Sequence, residues 1–506
     1  MFLRVCYCYC LALWWVSTVS FAKSIHSTSW ISLVETMPTL MEDLNRTVKL
    51  HTHTAILRLL NSATQEIDIA VMYWSLLPED CGWVPTNVSL HTTRGDLLPD
   101  CAGFTREQLD NDFLGIRGKE VYDALTSALE RNVTVRALQS AGFSSEGSDS
   151  HPNPESARLQ RRFPNHFLLR TLNMSKWYGD GIQHTKFIVV DGESFYLGSS
   201  NFMDFRSLSL VKELGVLVEN AKMLASDLVA FFDDAWAMSG LTSATTTLYF
   251  DPGALRDRPI PSWSPLLLSS RTPSPLPPST PFTRESPLQV AFNGEAPSSV
   301  FVSCSPLALC GGSEGRRRTD DELTLVSTIR TARKEVAIAV MDFVPGSMGL
   351  WSTAGPPVYW PSLVDAVVQV VNARAVRARI LVSQWAWTDP TMVPYLERLV
   401  ETGKICQISS NRCEGTLEVK TFAVPGWNST LGVGRRFPGH SRVNHNKYIV
   451  TENTANVCTS NMAWSYFRTT VGASLNVQSV SVAKSLMDVF DRDWGSRHAS
   501  AVGAGG

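Results

Sequence analysis

Residues Gln183–Asn201 read QHTKFIVVDGESFYLGSSN. His184, Lys186 and Asp191 form the pattern H-x-K-x4-D, and Gly198-Ser199-Ser200-Asn201 follows. The run from Phe187 to Val190 is aromatic and β-branched and is closed by Gly192, so it reads as a buried strand. His184 and Lys186 stand two apart at its entrance, and the period of two in a strand turns both to one face. An imidazole beside an ammonium at the end of an apolar strand suits a pocket for an anion. The pattern returns at Asn444–Asn461, NHNKYIVTENTANVCTSN, with His445, Lys447 and Glu452 at the same spacings and Thr459-Ser460-Asn461 behind them. One H-x-K beside a strand reads as readily as a structural histidine. Two copies, each with a carboxylate and a Ser/Thr-x-Asn, point to a site.

The duplication extends outward. Glu66–Trp74, EIDIAVMYW, is echoed 269 residues later by Glu335–Phe343, EVAIAVMDF, and the two motif histidines are 261 residues apart. Asn132–Leu138 is echoed by Val376–Val382, and Asp233–Trp236 by Asp491–Trp494. A repeat of that length is a duplicated domain and not a solenoid. Ile31–Pro38 reads as a first strand and turn. Helical spacing over Thr54–Ala63, Val121–Arg131 and Pro361–Arg374 alternates with strands, which predicts an α/β lobe built on a mixed sheet. Two such lobes would each bring one motif to a shared cleft, since domain interfaces commonly hold such sites.

The paired motifs resemble the phospholipase D superfamily. Within it, VNHNKYIVTE (443–452, with Glu in place of the usual Asp), HTKFIVVD, YLGSSN, FRSL and VKELGV resemble the animal endolysosomal branch, its third and fourth members, which are 5′–3′ exonucleases despite their name. The resemblance runs from about Ile31 to Trp494. It implies two pseudo-symmetric phospholipase D-like lobes, each a mixed β-sheet flanked by helices, around one active-site cleft. The expected organisation is a signal peptide or signal anchor at 1–22, a first lobe at 30–250, a Pro/Ser-rich linker at 251–288, a second lobe at 289–497 and a disordered tail at 498–506. Polar stretches at 77–112 and 144–154 read as loops of the first lobe.

Bulk properties bound the rest. With 506 residues, 44 % hydrophobic and 18 % charged, the chain is globular and large enough for two domains. A net charge of −2 gives no global pull on a polyanion, so such affinity would be local. Arg4 precedes an apolar run from Val5 to Phe21, and Ser20-Phe21-Ala22 fits a small-x-small cleavage site. About twenty residues span a bilayer, so the run is also long enough to be weighed as an anchor. The branch resembled here carries a cytosolic tail before its membrane helix. The absence of such a tail favours cleavage, and a membrane is a partner only if the leader stays. Sequons at Asn45, Asn87, Asn132, Asn173 and Asn428 agree with a lumenal glycoprotein. Of seven cysteines outside the leader, Cys81/Cys101 and Cys406/Cys413 are the expected local staples, and the odd count leaves at least one thiol over. The resemblance implies an endosomal or lysosomal lumen and, on that ground alone, a homodimer.

Two histidines on opposite sides of a phosphodiester can divide its cleavage. One attacks phosphorus to give a phosphohistidine, and the other protonates the leaving oxygen and then activates water or an alcohol. Lys186 and Lys447 would hold the non-bridging oxygens, with Asn201 and Asn461 as neutral donors, so the scheme calls for no cofactor or metal. The resemblance assigns His184 as nucleophile and His445 as acid/base, and implies that Glu213 orients a histidine. The expected counterpart of Glu213 in the second lobe, VGASLNV, offers Ser474 and no acid. Asp191 and Glu452 read either as site residues or as loop fasteners. Cys458 stands where glycine is usual, which predicts a displaced loop if that place needs positive φ. Ser199, Ser460, Arg442, Trp177 and Tyr178 are candidate substrate contacts, with Arg435, Arg436 and Phe437 as further members of a basic and aromatic track. Single-stranded DNA or RNA is the substrate the branch implies. Phospholipid is the alternative, since that branch is also linked to building lysosomal phospholipids, and a catalytically silent glycoprotein is the reading from another class.

Overall fold

The computed structural model describes residues 28–81, 100–141, 153–178, 181–240, 250–251, 256–257, 281–310, 318–346, 358–409 and 414–503. The leader, Asn87, most of the Pro/Ser linker, the 144–152 loop and Cys413 lie outside the described residues.

The two expected sheets are present. The first holds β1 (Trp30–Thr36), β2 (Glu66–Ala70), β3 (Thr134–Ser140), β4 (Phe167–Leu172), β5 (Phe187–Val190), β6 (Ser194–Gly198) and β7 (Glu213–Glu219), in the order β1-β7-β6-β5-β2-β3-β4. A short hairpin, β8 (Phe250–Asp251) with β9 (Arg256–Asp257), follows it in the chain. The second sheet holds β10 (Leu288–Val290), β11 (Ser298–Ser305), β12 (Glu335–Val340), β13 (Arg377–Gln384), β14 (Thr416–Ala423), β15 (Lys447–Thr451), β16 (Thr454–Cys458), β17 (Gly472–Gln478) and β18 (Ala499–Ala501). Its order is β10-β11-β17-β16-β15-β12-β13-β14-β18. β2, β3 and β4 run parallel, as do β12, β13 and β14, while each motif strand pairs antiparallel with its neighbours. At the C-terminal end Ala499–Ala501 pairs with Lys420–Phe422 and forms the sheet edge where a disordered tail was expected.

Burial on both faces explains why the central strands are unbroken apolar runs. Phe187, Ile188, Val189 and Val190 are all buried, as are their counterparts Tyr448, Ile449 and Val450. Burying each such side chain contributes roughly 1.5–3 kcal/mol. Helices cover the faces with ordinary signals: Asp320 caps Asp321–Thr331 by accepting from Leu323 N, and Ser479 caps Val480–Trp494 by accepting from Val482 N. Among the described residues no helix is long and apolar enough to cross a membrane.

Of the two expected staples one is present and the other, Cys406/Cys413, reaches outside the described residues. Cys81 pairs with Cys101, and Cys304 pairs with Cys310 six residues on. Cys458 is a buried free thiol among the described residues.

Candidate active site

Backbone hydrogen bonds place the two histidines. His184 N donates to Val471 O at 3.0 Å, and Val471 N donates to Ile182 O at 2.8 Å. In mirror fashion His445 N donates to Lys212 O at 2.7 Å, and Lys212 N donates to Val443 O at 2.9 Å. Each motif is therefore docked on the entry of the last core strand of the other lobe. Lys212 is itself locked, its fully buried ammonium 2.6 Å from the buried Asp493 carboxylate at the end of the helix Val480–Trp494.

The side chains converge as these bonds require. Lys186 Nζ donates to His184 O at 2.7 Å, and Lys447 Nζ to His445 O at 3.0 Å, which turns both ammoniums back over the histidines. His445 Nδ1 lies 2.9 Å from Glu213 Oε2 and 3.1 Å from Oε1 across the interface between the lobes. Ser199 and Ser207 hydroxyls donate to the same carboxylate at 2.6 and 3.1 Å, so its orientation is fixed. Tyr466 stands edge-on to His184 with ring centroids 5.0 Å apart, and its hydroxyl accepts from Asn461 Nδ2 at 3.1 Å. The same amide donates to Asp342 Oδ2 at 2.9 Å. His184 Nδ1, Asn201 Oδ1 and Asn461 Oδ1 are buried with no hydrogen-bond partner among the described residues.

The electrostatics suit an anion. Burial, then the charges of Lys186 and Lys447, and then His445, hold His184 well below the usual histidine value. Burial also lowers His445 to about 4, although the Glu213 carboxylate pulls it back upward. Lys186 is lowered by burial and by Lys447, and Lys447 falls to about 8 through burial against the pull of Glu213 and Asp342. Asp342 rises to about 7 because burial outweighs the Lys447 charge. A bound phosphoryl group would reverse these penalties by neutralising the two lysines.

Several sequence candidates stand elsewhere. The Asp191 carboxylate accepts from Thr64 N and Oγ1, Gln65 N and Glu66 N at 2.7–2.9 Å, which fastens the turn into β2. Glu452 accepts from Arg333 N at 2.9 Å at the corresponding turn. Both acids are loop fasteners, because the four residues of strand behind each H-x-K carry them to the far end. Arg442 is fully buried, its guanidinium spent on Pro425 O, Thr39 O and Thr39 Oγ1, so it does not face the cleft. Tyr178 packs in the core beside Leu172 and Met174, and Phe437 is buried as well. Trp177 sits in the short helix Ser175–Tyr178, and its side chain lies outside the described residues. Arg435 donates to Ala102 O, and Arg436 is exposed. Ser460 is buried beside Gly472.

The residues missed are Asp342, Tyr466 and Ser207. Asp342 had a signal, since it ends the repeated segment EVAIAVMDF. Tyr466 and Ser207 had none, because each acts through a contact across the fold. The register also corrects a correspondence. Gly198 pairs with Gly215 and Cys458 with Ser474, so Glu213 is matched by Gly472 and not by Ser474. At Gly472 a side chain would meet Ser460 Oγ at 2.3 Å and Ser305 Oγ at 2.6 Å.

A duplicated α/β fold thus brings two H-x-K dyads together at the junction of its lobes. A PLD3/4, PLD-like domain model matches residues 279–427, and a cardiolipin synthase, PLD-like domain model matches residues 111–236. The chain is 34% identical over 475 residues to the 5'-3' exonuclease PLD3 of Xenopus tropicalis, covering 92% of this chain and 80% of that protein. To the human 5'-3' exonuclease PLD3 it is 31% identical over 471 residues, covering 92% and 79%. The chain belongs to the phospholipase D superfamily, in the branch of the PLD3 proteins. The solved structure of phosphatidylserine synthase from Haemophilus influenzae Rd KW20 shares the fold, with a TM-score of 0.50 at 11% identity over 89% of this chain and 85% of that one.

Proposed function

We propose that the chain is a 5′–3′ exonuclease on single-stranded nucleic acid, working through a phosphohistidine at His184. The observation that carries the division of labour is the Glu213 carboxylate, which sits on His445 and has Gly472 as its counterpart. Glu213 accepts from His445 Nδ1–H, so Nε2 carries the working proton, and the carboxylate favours the imidazolium. His184 faces two lysines and no carboxylate, which keeps it unprotonated and free to attack. A His184 ring nitrogen bonds to phosphorus as the P–O bond to the leaving nucleoside breaks, and His445 protonates that oxygen. Water, losing a proton to His445, then displaces His184 and releases the phosphate monoester. Lys186 and Lys447 hold the non-bridging oxygens, while Asp342 and Tyr466 take both amide hydrogens of Asn461 and fix that side chain beside them. General acid catalysis of this kind contributes about 10²–10⁴-fold.

The apolar leader with its small-x-small site supports placement in a secretory lumen, and the branch supports an endosome or lysosome. Asn45, Asn132 and Asn428 are exposed and Asn173 is half-buried, as glycan acceptors must be.

A 3′-labelled single-stranded oligonucleotide with a free 5′-hydroxyl, at pH about 5 with a chelator present, tests the reading in an acidic lumen's range. The expected result is a ladder shortening from the 5′ end, lost in His184→Ala and His445→Ala. An intact oligonucleotide together with transfer from phosphatidylglycerol to an alcohol would replace the substrate by a lipid.

A further inference from the structure

The loop that delivers His445 carries a second feature. Five residues earlier His440 is held at φ +50, a left-handed conformation that costs a non-glycine residue roughly 1–2 kcal/mol. Contacts from the first lobe hold it. His440 Nδ1 lies 2.8 Å from Asp100 Oδ1, Gly439 N donates to Asp100 O, and Arg206, just past the Asn201 loop, donates to Gly439 O at 3.0 Å. Arg206 also pairs with Asp100 and with Asp204, so the anchor continues into the first lobe.

The second lobe supplies the surface. β13 ends at Gln384 beside the catalytic loop, where Ser383 Oγ accepts from Asn444 N at 3.2 Å. The chain leaving it stacks Trp387 on His440, with ring centroids 5.5 Å apart and planes 5° from parallel. Trp385 stands alongside at 6.4 Å and 57°. The His440 side chain keeps 45% of its surface exposed, so one face of the stack is open. A carboxylate-anchored imidazole, backed by an indole and held against the backbone preference, is costly unless its open face is used.

We infer that the open face of His440, backed by Trp387, is a stacking subsite for a nucleobase of the single-stranded substrate, at the mouth of the cleft that holds His445. The inference rests on the nucleic-acid reading above. Stacking is sequence-tolerant, because every base has a π face, and it ranks substrates by the presence of a base and not by its identity.

Two 3′-labelled oligonucleotides, one fully base-bearing and one with an abasic tetrahydrofuran residue walked through its first four positions from the 5′ end, test it. The wild type should favour the base-bearing strand by about tenfold in kcat/KM at one abasic position, carried in KM, which is the effect of one stacked base. That preference should collapse to under about twofold in His440→Ala and Trp387→Ala and return in His440→Phe, which keeps a ring without the Asp100 bond. A discrimination unchanged in both alanine variants, or absent from the wild type at every position, overturns the subsite and leaves the exonuclease standing. No cleavage of either strand by the wild type overturns the nucleic-acid reading itself.

Discussion

The two lobes carry the same motif and solve its surroundings differently. In the first, Gly198 and Gly215 pair beneath the Tyr196 ring, and a Cβ on Gly198 would come within 2.4 Å of Gly215 Cα. A Cβ on Gly215 would meet the ring at the same distance. In the second, Asn456 takes the tyrosine's place, and the smaller side chain leaves room for Cys458 and Ser474 as the pair. Neither Gly198 nor Cys458 has positive φ, so the displaced loop expected at Cys458 does not occur. The glycine of the first lobe answers to space and not to backbone freedom. The acids divide the lobes in the same way: Glu213 reaches across to His445, while Gly472 leaves His184 to the lysines. Local packing was free to drift between copies, and the drift made two chemically identical histidines unequal.

That inequality can be broken in steps. Removing either imidazole, as His184→Ala or His445→Ala, should lower kcat by about 10³-fold or more. A quenched phosphohistidine assay with an activated phosphodiester should find label on the protein in the wild type and in His445→Ala, and none in His184→Ala. Label dependent on His445 instead would reverse the two roles.

Glu213→Gln comes next. His445 stands at about 4 with the carboxylate raising it, so its removal lowers the value further. Fewer molecules then carry the acid form at a given pH. The rate at pH about 5 should fall about 10²-fold, and the alkaline-side fall of the pH–rate profile, where His445 loses its proton, should move to lower pH. A profile displaced upward would contradict the assignment.

Transplanting packing tests the comparison itself. Gly198→Cys alone should destabilise by about 1–3 kcal/mol through overpacking, seen as a lower midpoint in urea. Adding Tyr196→Asn and Gly215→Ser, to copy the second lobe, should restore most of it.

The smallest effects belong to the fastening acids. Asp191→Ala should cost about 1–2 kcal/mol of stability and Glu452→Ala under about 1, in line with four hydrogen bonds against one, with kcat changed little in either. Four hydrogen bonds hold the Asp191 carboxyl below its ordinary 3.8 despite the opposing burial. Its contribution is therefore full above that value and lost as pH falls through the depressed one. Denaturation midpoints of wild type and variant should converge below it.

The sequence disclosed what periodicity and duplication encode. The H-x-K dyads, the apolar motif strands, the EIDIAVMYW/EVAIAVMDF pair and the two-sheet plan were legible because each repeats within one chain. Glu213 was legible through resemblance, but its true counterpart needed strand register, since two residues of slip between the copies move the match from Ser474 to Gly472. Arg442 misled because basic residues near a catalytic histidine look alike in sequence, whether they face a ligand or three backbone and hydroxyl oxygens. Tyr466, Ser207 and the Cys304–Cys310 pair depend on which surfaces meet, which no local pattern records. The Ala499–Ala501 strand was missed because small residues at a chain end look like tail until an open sheet edge is found beside them.

The reciprocal bonds of His184 N to Val471 O and of His445 N to Lys212 O also govern when the enzyme can exist. During synthesis the first motif emerges complete in sequence, yet its backbone rests on a strand that lies nearly three hundred residues downstream. Until the β17 segment leaves the ribosome, the first motif lacks the backbone partner that seats His184. A half-made or truncated copy therefore lacks the seat of its own histidine, and the two halves of the cleft come into being together.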